Sequence, residues 1–210
     1  MHIFDEERIQ SWFIHHVTFM RFWDDYYGTV HFAAVVTVLV VLFFRFPANY
    51  RLWRNTLAIA TALALIGFAW FPLLPPRLLP SSYGFIDSLR IIGGFWDFQS
   101  GPVNSVSNQF AAMPSLHTAW SLWCAIALVG VVRPWWGKVL LFLYPCATVF
   151  CIVITANHYF SDALGGIVVL AAGYGGSQLL TRYTERWSQR WREWWLANRP
   201  RASQALRRGR

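Results

Sequence analysis

Charge is scarce in this chain. Asp, Glu, Lys and Arg make up 13% of its 210 residues, about half of what a soluble domain carries, and that excludes an ordinary water-facing surface. Cysteine is scarcer still: Cys124, Cys146 and Cys151 are the only three, and none falls in a metal-ligand or redox spacing, so they read as core residues. The chain has no His-Glu-x-x-His element, which removes the commonest helical zinc-hydrolase pattern. The first thirty residues are too charged and aromatic for a cleavable signal peptide, and no internal repeat is visible.

What fills the space is apolar sequence, 56% of the chain. It is concentrated in five runs, at about 29–46, 56–74, 115–132, 139–156 and 163–180, each near the ~20 residues that cross a ~30 Å hydrocarbon core. The expected fold is an all-α integral membrane bundle of about five transmembrane helices. Its orientation follows from the arginines. Arg45, Arg51, Arg54, Arg133 and Lys138 lie between spans on one side, and nine arginines follow the last span, so this side holds 14 of the 18 basic residues. By the positive-inside rule it is cytoplasmic. The carboxyl terminus is then cytoplasmic and the amino terminus outside, with the plasma membrane as the expected location. Because topology accounts for the arginines, the net charge of +8 calls for no nucleic-acid partner.

Three segments are expected. Residues 1–28 read as an amphipathic interfacial helix, with Ile9, Trp12, Phe13, His16, Phe19 and Trp23 at helical spacing. Residues 29–181 form the membrane-embedded domain. Residues 182–210 form a basic cytoplasmic tail in which Trp187, Trp191, Trp194 and Trp195 stripe one face and Arg182, Arg186 and Arg190 another, as an anionic-lipid anchor would. Within the domain, the Pro- and Gly-rich connector at about 75–112 is long enough to be functional, and its apolar patch Ile91-Ile92-Gly-Gly-Phe95-Trp96 suits a re-entrant or interfacial lid. Pro145 predicts a kink. Gly165, Gly166, Gly173, Gly175 and Gly176 predict close helix contact.

The outer ends of the runs collect the chemistry. In Thr155-Ala-Asn-His158-Tyr-Phe-Ser-Asp162, His and Asp stand four apart; on a helix they share a face, so the carboxylate can hold one imidazole nitrogen and leave the other free. In Met113-Pro114-Ser115-Leu116-His117-Thr118, Pro and Ser suit a helix start whose free N–H groups and dipole attract phosphate. Arg77, in Pro75-Pro76-Arg77-Leu-Leu-Pro80, offers a fork that matches phosphate oxygens. His31 is a polar group in an expensive place. Phosphoryl transfer needs an in-line nucleophile, donors for the equatorial oxygens and an acid for the leaving oxygen. His158 is the expected nucleophile, Asp162 its orienter, His117 the acid, and Arg77 with Ser115 the phosphate holders. His31, Asn157 and Tyr27 are possible additional members. His15 and His16, among interfacial aromatics, receive no role.

These elements resemble the type 2 phosphatidic acid phosphatase superfamily, in Pro76-Arg77, Pro114-Ser115-Leu116-His117 and His158-Tyr-Phe-Ser-Asp162. Tyr27-Gly-Thr-Val-His31-Phe, Pro75-Pro76-Arg77-Leu-Leu-Pro80, Ala112-Met113-Pro114-Ser115-Leu116-His117 and Ala156-Asn157-His158-Tyr159 are closer to the branch related to inositol phosphorylceramide synthase. The likeness covers about residues 3–180 in order. It implies a metal-independent, cofactor-free membrane enzyme acting on a lipid phosphate or phospholipid through a phosphohistidine at His158. It also implies that Asp162 orients that ring, His117 protonates the leaving alcohol, and Arg77, Ser115 and the helix mouth hold the phosphate. The chain departs from the pattern in three ways: no Lys precedes Arg77 at the superfamily's spacing, Ile152 replaces an Arg six before His158, and Leu116 replaces Gly. A further span before the segment at 3–10, usual in relatives, is missing, which suggests a shortened or late-started chain.

Two other readings compete. A transporter or channel with a His/Asp-lined outer vestibule would continue its polar residues through the membrane, and the runs show few. A metal-dependent hydrolase could use His158 and Asp162 as ligands, but the rest of a ligand set is not apparent.

Overall fold

The computed structural model describes residues 5–93 and 112–198. Helices α1 (Asp5–Phe13), α2 (Val17–Arg45), α3 (Pro47–Trp70), α4 (Ser88–Ile91), α5 (Leu116–Val129), α6 (Trp135–Ile154) and α7 (Phe160–Ala197) follow one another, with two 3₁₀ turns at Pro76–Leu78 and Ser81–Tyr83. Helices α2, α3, α6 and α7 are long and apolar enough to cross a membrane. Their unburied faces carry large apolar side chains such as Phe44, Leu65, Trp70, Leu164 and Val168. Such a surface is stable only against hydrocarbon, and the chain is an integral membrane protein.

The apolar run at 115–132 forms a shorter helix than expected. Helix α5 has 14 residues, about 21 Å of rise, because it stops at Gly130 ahead of Pro134. It can be short because it lies inside the bundle, touching α2, α3, α6 and α7. Its Trp123 is fully buried among Val35, Val38, Leu42 and Leu170, and the indole N–H donates to the Trp53 carbonyl at 2.9 Å.

The amino-terminal segment also differs from the expected single interfacial helix. A turn at 14–16 separates α1 from α2, and residues 17–28 continue unbroken into the first span. Part of the aromatic stripe packs on α6: Phe13, Phe19 and Trp23 lie around Phe150, with ring centroids 5.4, 6.4 and 5.2 Å away, while Trp12 stays exposed. Helix α1 is pinned at the same time by polar groups. Gln10, 1% exposed, donates to the Ile86 carbonyl at 2.7 Å and accepts the Ile86 N–H at 3.0 Å. Glu6 accepts the Phe160 N–H at the mouth of α7 at 3.0 Å. At the other end, α7 runs past residue 182 without a break, and Trp187, Trp191 and Trp194 lie in a row with centroids 5.7 and 5.3 Å apart. Pro145 sits inside α6 without ending it. Phe95 and Trp96 of the expected lid lie outside the described residues.

Close helix contact occurs where glycine permits it. At Gly173 a Cβ would stand 2.8 Å from the Thr56 carbonyl oxygen and 2.9 Å from the Ala60 Cβ, so α3 and α7 meet backbone to backbone. At Gly165 it would stand 3.2 Å from Pro114 Cβ, and at Gly166 it would collide with the Ser115 carbonyl oxygen. The glycines of α7 thus seat the segment that starts α5. Gly175 has nothing within 4 Å.

Gly166→Ala is therefore expected to destabilise the protein by about 1–3 kcal/mol through overpacking. Gly175→Ala should leave stability unchanged or raise it by about 1 kcal/mol through helix propensity. Thermal unfolding in detergent would compare the two, and equal tolerance would contradict the seat.

Candidate active site

The site begins with the way α6 ends. Ala156 N–H bonds the Val153 carbonyl and Asn157 N–H the Ile152 carbonyl, both at 3.0 Å, the two bonds of a Schellman turn. The residue that reverses the chain, Ala156, has φ +51°. Glycine is the usual occupant of that position, and a Cβ costs about 1–2 kcal/mol there. The turn is tightly tied: Thr155 Oγ1 donates to the Cys151 carbonyl at 2.7 Å, and the Asn157 amide donates to Thr155 Oγ1 at 2.8 Å. Asn157, a possible site residue by sequence, thus spends an amide donor on holding the turn.

His158 emerges from that turn, 4% exposed, and it is not on a helix. It lies two residues before α7, whose N-cap is Tyr159. Asp162, in the first turn of α7, accepts the Tyr159 N–H through Oδ2 at 2.9 Å. The expected shared helix face is replaced by a helix cap that brings the same carboxylate to 3.5 Å from His158 Nδ1. The nearest acceptor of Nδ1 is instead the Ala112 carbonyl, at 2.8 Å. A carbonyl oxygen can only accept, so Nδ1 carries the hydrogen, and in the neutral ring Nε2 holds the lone pair. Tyr159 itself stays protonated: burial, reinforced by the Asp162 and Glu6 carboxylates, pushes its phenol up to about 12.

Across from this turn stands the mouth of α5. Ser115 N–H donates to the Asp162 carbonyl at 2.9 Å, which locks the two helix starts together. Ser115, fully buried, is the N-cap of α5; its Oγ accepts the Thr118 N–H at 3.4 Å, and its own proton remains a donor. One residue into the helix, the His117 ring lies 5.5 Å from the His158 ring, centroid to centroid. It is stacked on Tyr27 at 4.2 Å and meets His31 at 4.1 Å. Tyr27 and His31 are one helical turn apart on α2 and so share the face that meets His117. All three sequence-predicted histidines and Tyr27 thus come together. His117 Nε2, His31 Nδ1 and Asp162 Oδ1 are buried without a hydrogen-bond partner among the described residues. Buried polar atoms are rarely left so, and their concentration here marks a site for a polar group.

Arg77 arrives from the connector after α3. Its N–H donates to the Ala156 carbonyl at 2.9 Å, so its backbone is fastened to the turn that presents His158. Its Nη1 meets Asp87 Oδ2 at 3.3 Å, and its Nε, buried, has no partner among the described residues. Sequence reading missed the acidic side of this arrangement, namely Asp87 and the fully buried pair Ser88 Oγ–Asp24 Oδ1 at 2.8 Å. Asp24 carried a usable signal, since 24, 27 and 31 recur at helical spacing. Nothing in the sequence marked Asp87 or Ser88. Among the described residues, no three His, Cys, Asp or Glu side chains gather as a metal-holding group.

This arrangement offers a histidine with one free nitrogen, a second histidine opposite, a helix mouth with a spare hydroxyl donor and one guanidinium. No curated protein and no solved structure matches the chain. A family model described as the PAP2 superfamily matches residues 1–176. That match spans well over half of the chain, and the chain belongs to the PAP2 superfamily.

Proposed function

We propose that the protein cleaves a lipid phosphate or phosphodiester at the non-cytoplasmic face through a phosphohistidine on His158, and passes the phosphoryl group to water or to an alcohol such as inositol. The observation that carries this reading is the 2.8 Å contact between His158 Nδ1 and the Ala112 carbonyl. It commits the ring to the tautomer whose Nε2 lone pair can attack phosphorus. As the P–N bond forms, the ring becomes cationic, and Asp162 at 3.5 Å stabilises that charge. His117 gives its proton to the departing alkoxide. The Arg77 Nε–H, the Ser115 hydroxyl and the free N–H groups of the α5 mouth hold the equatorial oxygens. In the second half-reaction His117 takes a proton from water or alcohol, whose oxygen attacks phosphorus and restores free His158. The lipid-facing walls around the site suit an amphiphile that arrives laterally. No metal enters the scheme.

The vestibule reading receives less support. Buried hydroxyls farther along the helices bond backbone of their own helix, as Thr56 to Leu52, Ser121 to Thr118 and Thr148 to Tyr144, and Thr148 also pairs with the Tyr26 hydroxyl at 3.2 Å. We further propose that the tryptophan row and arginines of the α7 extension bind anionic lipid headgroups. Replacing Arg182, Arg186 and Arg190 with Gln should reduce reconstituted activity in phosphatidylglycerol vesicles but not in phosphatidylcholine vesicles; equal loss in both would count against it.

The main test is product analysis with detergent-purified protein and EDTA on a panel of lipid phosphates and phospholipids, with and without inositol. Free phosphate indicates a phosphatase, and a new inositol phospholipid a transferase. His158→Ala is expected to abolish turnover, and an active variant would refute the phosphohistidine. His117→Ala should lose roughly 10²–10⁴-fold, and less with an aryl leaving group that needs no proton. Loss of activity in EDTA, restored by a divalent cation, would replace this mechanism with a metal-dependent one. Right-side-out vesicles should process a membrane-impermeant aryl phosphate without being opened.

A further inference from the structure

Arg77 is the one strong cation assigned to the phosphate, since the lysine that precedes it in relatives is absent here. The aim of a single guanidinium fork therefore matters more than it would in a site where several cations share the load. The structure surrounds that fork with acidic and hydroxyl groups that the proposed chemistry does not use. Asp24 on α2 is 1% exposed and Ser88 is fully buried, and Ser88 Oγ donates to Asp24 Oδ1 at 2.8 Å. Ser88 is the first residue of α4, and Asp87 is the N-cap of that turn. Asp87 divides its carboxylate: Oδ1 accepts the Arg90 N–H at 3.2 Å, and Oδ2 meets Arg77 Nη1 at 3.3 Å.

The geometry has a direction. Asp24 fixes Ser88, and Ser88 fixes the start of α4. The cap then fixes the plane of the Asp87 carboxylate, and Oδ2 of that carboxylate engages Nη1. The Gln10–Ile86 pair holds the same loop from the other side, at 2.7 and 3.0 Å. With its backbone tied to Ala156 and Nη1 tied to Asp87, Arg77 is held at both ends. Its Nε, buried and without a partner among the described residues, is left for an anion. A carboxylate free to move would follow the guanidinium; one whose other oxygen caps a helix holds Nη1 in one place. Burying Asp24 is costly unless a neighbour compensates, and its hydrogen bond from Ser88 serves this loop.

We infer that Asp24 and Ser88 act through Asp87 as positioning residues that aim Arg77 at the substrate phosphate; the inference rests on the proposed reading of Arg77 as the phosphate holder. The three residues touch Arg77 or one another and need not touch substrate. Their role would therefore show as coupling to Arg77 and not as an independent loss.

Orthovanadate binding to the detergent-purified full chain, followed by calorimetry, reads this without a known substrate. Ser88→Ala and Asp24→Ala should each weaken orthovanadate about tenfold, as expected for groups that act through a charged partner. The same substitutions should have no further effect in an Arg77→Ala background. Asp24→Asn keeps an oxygen acceptor for Ser88 and should bind orthovanadate like the unaltered protein, which also covers the case in which Asp24→Ala fails to fold. Equal losses with and without Arg77 would overturn the inference in favour of a general structural role. So would unchanged affinity in Ser88→Ala while Arg77→Ala abolishes binding, and that outcome would leave the phosphate site standing. Orthovanadate that does not bind the unaltered protein would overturn both.

Discussion

Backbone that leaves a helix near a membrane must find its hydrogen bonds within the protein, and the site of this molecule is built from that requirement. Three irregular stretches meet at one end of the bundle and bond one another. Arg77 N–H reaches the Ala156 carbonyl, Ser115 N–H reaches the Asp162 carbonyl, and His158 Nδ1 reaches the Ala112 carbonyl. Each bond satisfies a polar group that lipid could not, and each joins a different motif to its neighbour. The constellation is thus a by-product of closing the end of the bundle. The glycines at 165 and 166 are what allow the second of these bonds, since a side chain there would push Ser115 away from α7.

The same economy shapes the electrostatics. Two helix mouths face each other, and they are treated differently. The start of α7 is filled by Glu6 and Asp162, which accept the Phe160 and Tyr159 N–H groups. The start of α5 is capped by a neutral hydroxyl that keeps a proton to give. Carboxylates thus fill one mouth, and the other is the one proposed to receive an anion. The acidic mouth lies beside the histidine proposed to become cationic, and the neutral mouth beside the position where the phosphate would rest. Arg77 stands between acidic residues, its fork half engaged by Asp87. That arrangement favours directed recognition over the strong general field that a cluster of cations would create.

Much of this was legible in the sequence because membrane proteins expose their constraints as composition. Apolar runs marked the helices, arginines suggested their orientation, and His117, His158, Asp162, Arg77 and His31 fell at the same end of their runs. The misreadings have physical causes. Hydropathy cannot tell a helix that faces lipid from one enclosed by other helices, so α5 was read as a full span. Aromatic residues at helical spacing suit a membrane interface and a helix–helix contact equally well, so Phe13, Phe19 and Trp23 were read as part of an interfacial helix, whereas they also pack on Phe150. The His–Asp interval of four suggested a helix face, whereas a helix cap brings the same two groups together.

The sequence by itself determined the membrane fold and the family and nominated the side chains proposed to react, because each depends on residue type and local spacing. Only the tertiary structure decided how those side chains are held. Which nitrogen of His158 is free depends on the carbonyl of Ala112, 46 residues away. Where Arg77 points depends on Asp87, and through Ser88 on Asp24 at 64 residues' remove. Hydrogen bonds between distant segments leave no periodic trace in a sequence, because the partner can be any backbone oxygen or any small polar residue that the packing brings within about 3 Å.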